Sequence, residues 1–66
     1  MNLQEIKNAV ENGKTVCCGN PAYSVKKDSL GQWFIYCAIN EYCIGLTHAD
    51  GVTLNDSESA FYILED

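Results

Sequence analysis

Leu3, Ile6, Ala9 and Val10 fall on one stripe of a 3.6-residue period, with Gln4, Glu5, Lys7 and Asn8 off it. That pattern predicts an amphipathic helix. Asn2 before the stripe and Glu5 three residues later have the form of a capping box. Gly13 follows the last periodic position, where a left-handed residue commonly ends a helix. The helix is therefore expected over residues 3–12. Three turns are marginal in isolation, so the stripe must dock on something.

Beyond Gly13 the period changes to two. "KTVCC" is a short β-rich run stopped by "GNP", because Pro21 has no N–H to give a ladder. "AYSVKK" alternates, with Tyr23 and Val25 against Ser24 and Lys26, and "DSLG" is a turn cluster. "QWFIYCAI" is the longest strand, and Asn40-Glu41 connects it to "YCIGLTH". "ADG" reads as a hairpin turn leading to "VTL". "NDSES" is a polar loop in which Asp56 or Ser57 can begin one helical turn, and "AFYIL" is a last strand. There is no repeat or linker, so residues 1–66 form a single domain. The expected class is α+β: an N-terminal helix packed on a strongly curved antiparallel β-meander of five to six short strands. The strands form either an open sheet or an SH3-like partial barrel, and Gly45 inside "CIGLT" allows bending.

The run "WFIYCAI" sets a packing problem, because both of its faces are apolar. A two-residue loop at Asn40-Glu41 places Ile39 opposite Tyr42, Ala38 opposite Cys43, Cys37 opposite Ile44 and Ile35 opposite Leu46, and paired residues share a face. Trp33, Ile35, Cys37, Ile39, Ile44 and Leu46 then form one face, the seat for Leu3, Ile6 and Val10. Phe34, Tyr36, Ala38, Cys43, Gly45 and Thr47 form the other. In this register Cys37 and Cys43 point apart, and a three-residue loop would reverse that. The second face calls for cover from "AFYIL" through barrel closure, from a second copy, or from a partner.

Composition narrows the chemistry. At 47% hydrophobic residues the chain can fold rather than stay disordered. No stretch approaches the roughly 20 apolar residues of a membrane span. The first residues have neither a basic n-region nor an apolar h-region, so a cytoplasmic location is expected. In that reducing setting the four cysteines are expected as free thiols. Cys17-Cys18 adjacency and the spacing of Cys37 and Cys43 do not suit zinc, so no metal and no cofactor are expected. The net charge of −5 divides unevenly: residues 1–27 carry +2 with all four lysines, and residues 28–66 carry −7 with no lysine or arginine. Direct nucleic-acid binding is therefore not expected. His48 lies about 16 Å by strand rise from Cys43 and on the other face, and "GKT" at 13–15 lacks the upstream glycine of a phosphate loop. The chain reads as a non-enzyme.

"AVENGKTVCCGNPAYSVKKDSLGQWFI", "YCIGLTHADGVTLN" and "FYI" together resemble small uncharacterised proteins encoded by phages and other mobile elements of gut bacteria. The resemblance spans most of the chain and carries no functional motif. It implies a small acidic protein that acts by binding, on a host protein and in the host bacterial cytoplasm.

The expected function is therefore a non-enzymatic protein-binding module that works by dimerisation or by docking on a partner. Its candidate surface is an aromatic patch of Phe34 and Tyr36, left partly covered if "AFYIL" returns beside the first strand. Glu41, Asp50, Asp56 and Glu58 are expected on the patch rim. The alternative is a nucleic-acid-mimicking inhibitor of a DNA- or RNA-handling enzyme, working through the acidic region.

Overall fold

A computed structural model describes residues 1–64. In chain order it contains α1 (Leu3–Glu11), β1 (Thr15–Cys18), β2 (Asn20–Lys27), β3 (Trp33–Cys37), β4 (Cys43–Gly45), one 3-10 turn (Glu58–Ala60) and β5 (Phe61–Leu64). The ends of α1 are the ones its sequence specifies. Asn2 Oδ1 accepts from the Glu5 N–H at 2.8 Å, and Glu5 Oε1 accepts from the Asn2 N–H at 2.9 Å. At the other end Gly13 takes φ +82°. Its N–H donates to the Val10 carbonyl, and the Lys14 N–H donates to the Ala9 carbonyl. This is the Schellman closure, and only a residue that tolerates positive φ can sit at its centre.

The five strands form one antiparallel, unclosed sheet in the order β4-β3-β2-β1-β5. The first four are a meander, with a bulge between Cys17 and Cys18 that adds to the bend of β1. The fifth crosses to the far edge, so the edges stay apart and no barrel closes. Residues 46–60 make that crossing over the same face that α1 covers. Leu46 is completely buried, and Leu54 and Ala60 pack on the core. The core itself is Ile6 and Ala9 of α1, Val16 and Cys18 of β1, Val25, Ile35, Leu46 and Phe61. Among the described residues, no helix is long and apolar enough to cross a membrane.

Three sequence expectations need correction. The β3–β4 register has Tyr36 opposite Cys43, Ile35 opposite Ile44 and Phe34 opposite Gly45, two residues away from a two-residue loop. Asn40 causes the shift: its Oδ1 accepts from the Tyr42 N–H at 2.9 Å, and Glu41 adopts φ +59°, which widens the connection. A slip of two keeps every side chain on its face, so Trp33, Ile35, Cys37 and Ile44 remain together and Cys37 and Cys43 remain opposed. Ile39, however, leaves the ladder and is 83% exposed.

Secondly, "YCIGLTH" is not one strand. The Asn55 Nδ2 donates to the carbonyls of Gly45 (2.6 Å) and Thr47 (3.0 Å) and folds the chain over. A Cβ at Gly45 would sit 3.2 Å from the Thr47 oxygen, which explains the glycine. The expected "VTL" strand is reduced to a Thr47–Leu54 bridge. Finally, Trp33 is only partly buried. It lies at the core margin with Lys7 Nζ 5.6 Å and Lys27 Nζ 5.4 Å from its ring centroid.

Candidate functional site

Side-chain alternation sorts the sheet into two unequal faces. One lies under α1 and the 46–60 crossing. The other has no element packed on it among the described residues. Strand pairing carries one row straight across this open face, from Cys43 through Tyr36, Ser24 and Cys17 to Tyr62. Beside it lie Phe34, paired with Gly45 and Lys26, and Thr15, paired with Leu64. Phe34, Tyr36 and Tyr62 are half-buried by their sheet neighbours, while Cys17 between them is fully buried. β3 and β5 stand three strand spacings apart, about 14 Å. The face therefore has aromatic flanks and a floor of small side chains. Partial burial, and then the Cys17 thiol beside it, push the Tyr62 hydroxyl above its ordinary acidity range.

Phe34 and Tyr36 thus share one half-exposed face, as expected from the return of "AFYIL" beside β1. Tyr62 was missed, although its alternation with the buried Phe61 places it there. Lys26 and Ser24 were also missed as members of the face. The acidic candidates are arranged differently from a rim. Glu41 is at the exposed tip of the β3–β4 hairpin. Asp50 closes its own turn: Oδ1 accepts from the N–H groups of Val52 and Thr53 at 2.9 Å each, and Oδ2 from the Thr53 hydroxyl at 2.6 Å. That hydroxyl, then the two N–H groups, hold its carboxyl down at about 2.

Asp56 belongs to the helix side. Its Oδ2 accepts from the Cys18 thiol at 3.3 Å, and Cys18 points into the core. Glu58 opens the 3-10 turn and borders the same side, near Leu3 and Leu54. Asp56 and Glu58 therefore do not rim the aromatic face. The crossing of residues 46–60 carries them over the helix side, a path that no local pattern encodes.

The thiols have separate environments. Cys17, Cys18, Cys37 and Cys43 are all free, and only Cys43 is exposed. Burial, and then the hydrogen bond to Asp56, push the Cys18 thiol up to about 11, so it is a neutral S–H donor at physiological pH. Burial also raises Cys37, but the N–H groups of Asn40 and Ile39 and the Tyr23 hydroxyl outweigh it and leave this thiol below its ordinary value. The same contact with Cys37 raises Tyr23. His48 is exposed and contributes its backbone N–H to the Thr53 carbonyl at 2.7 Å. Among the described residues no three His, Cys, Asp or Glu side chains gather into a metal-binding group.

Beneath the crossing, a half-open cavity of about 260 Å³ is walled by Cys18, Tyr23, Ile35 and Ile44, with Asn55 and Asp56 at its edge. No protein-family model, curated protein or solved structure matches this chain.

Proposed function

We propose that the chain is a cytoplasmic, non-catalytic protein-binding module that recognises a partner through the open face of its sheet. One observation carries the reading: Phe34, Tyr36 and Tyr62 stay half-exposed together on one uncovered face, with Cys17 and Ser24 filling the gap between them. Rigid aromatic side chains already ordered by their neighbours give up little entropy on binding, and they are enriched at interface centres.

A different protein suits this face better than a second copy. Two copies would bring together net charges of −5 each, and like charges oppose association. The resemblance to phage-encoded proteins makes a host protein the partner to seek. Phosphate mimicry by the acidic half is less well supported, because Asp50 is engaged within its own turn.

The test is capture from bacterial lysate at low and high salt, with the wild-type chain and a Tyr36→Ala/Tyr62→Ala variant compared side by side. The expected result is a partner held by the wild type at both salt concentrations and released by the variant through faster dissociation. A partner retained by the variant, or lost from the wild type on adding salt, would overturn the reading in favour of the acidic surface.

A further inference from the structure

The cavity under the crossing is independent of the open face, being on the other side of the sheet. Its walls are the apolar parts of Tyr23, Ile35 and Ile44 together with the Cys18 thiol. At about 30 Å³ per non-hydrogen atom, 260 Å³ holds on the order of eight such atoms, which is too small for a nucleotide and large enough for one side chain.

Polarity at the edge narrows the occupant. Asp56 is exposed, and Oδ1 accepts from the Ser57 N–H at 2.8 Å while Oδ2 has only the weak thiol donor. Among the described residues the one ion pair is Lys27 with Glu11, so Asp56 has no cation of its own. The Met1 ammonium donates to the Glu58 carbonyl at 2.7 Å and makes no ion pair with Asp56. An apolar slot with an uncompensated carboxylate at its mouth complements an apolar stem that ends in a positive charge.

We propose that this cavity binds a primary alkylammonium group, of the shape of a lysine side chain, with its stem against Tyr23, Ile35 and Ile44 and its charge on Asp56. Cys18 holds the carboxylate in place from the cavity wall. The neutral thiol adds no competing negative charge. The same chemistry can be supplied by a free alkylamine or by a lysine on another protein.

The experiment is a ¹⁵N-resolved NMR titration of the intact chain at neutral pH and fixed ionic strength. The probes are n-butylamine, the lysine analogue Nα-acetyl-lysine-N-methylamide, and 1-butanol as the uncharged control. Both amines should shift the amides of Cys18, Tyr23, Ile35, Ile44 and Asn55 and saturate. Butylamine should bind about two- to fivefold more tightly than butanol, the range for an exposed ion pair. Asp56→Asn should remove that preference. Response to butylamine but not to the lysine analogue supports the site with a free amine as its ligand. Response to both supports a lysine of a protein partner. Shifts that do not saturate, that map to other residues, or that are equal for amine and alcohol in the wild type overturn the proposal. The wild-type comparison decides even if Asp56→Asn fails to fold.

Discussion

Replacing Leu46 with Ala tests whether the 46–60 crossing is part of the core or a loop lying on it. Leu46 is fully buried, and the chain supplies its own control in Leu30, which is 81% exposed in the β2–β3 turn. Three buried carbons at roughly 0.8 kcal/mol each give a transfer loss of about 2.5 kcal/mol. The cavity left behind raises this to about 3–4 kcal/mol, within the range for buried leucines. At about 0.05–0.15 kcal/mol per residue, a chain of 66 residues has a total stability of about 3–10 kcal/mol. The variant therefore loses a third or more of what holds the domain folded.

In urea, with a slope of about 1 kcal/mol per molar for so small a domain, the midpoint should fall by roughly 3 M. A weak wild type would leave the variant unfolded without denaturant. Leu30→Ala makes the same chemical change in water and should move stability by less than about 0.5 kcal/mol. Circular dichroism across a urea gradient reads both. A Leu46→Ala midpoint within 0.5 M of wild type, taken as the threshold from that ±0.5 kcal/mol band, would mean that the crossing does not pack on the sheet. Equal damage from Leu30→Ala would mean that burial does not govern the difference.

Two further outcomes are expected. Of the four free thiols only Cys43 is exposed, so a thiol reagent should modify one cysteine quickly in the native protein and the others only on unfolding. Cys43→Ser should abolish the fast phase, and native mass spectrometry should show no added metal mass. Asp50 has its carboxyl lowered from 3.8 to about 2 by the Thr53 hydroxyl and the N–H groups of Thr53 and Val52. Its contribution to stability is therefore present above pH 4 and lost as pH falls from about 4 towards 2. Thermal melts across that range should show a smaller acid-induced decline for Asp50→Asn than for the wild type, and identical slopes would remove Asp50 from the account.

The local elements of this protein are written in neighbouring residues. Asn2, Glu5 and Gly13 fix both ends of α1, because capping bonds span only three to five residues and involve no distant partner. The separation of Ile35 and Cys37 from Phe34 and Tyr36 likewise follows from a period of two. It survived a wrong register, since a slip of two residues returns each side chain to its own face. Asp50-Gly51 marked a turn correctly, because the carboxylate that closes it sits beside the amides it accepts from.

Tertiary structure alone decided what lies over each face. The sheet order β4-β3-β2-β1-β5 depends on where the chain travels after Gly45, and that path is set by two hydrogen bonds from the Asn55 side chain and by the burial of Leu46. The Asn55 bonds close a stretch of eight and ten residues, while the burial of Leu46 is favourable only when the helix and strands already provide a surface to meet. The same path carries Asp56 to Cys18, away from the aromatic face, and brings β5 beside β1 so that Tyr62 joins Tyr36 in one row. A pattern of hydrophobic positions states which side of a strand must be covered. It does not state by which segment, because burial free energy depends on the apolar area removed from water and not on its source in the chain.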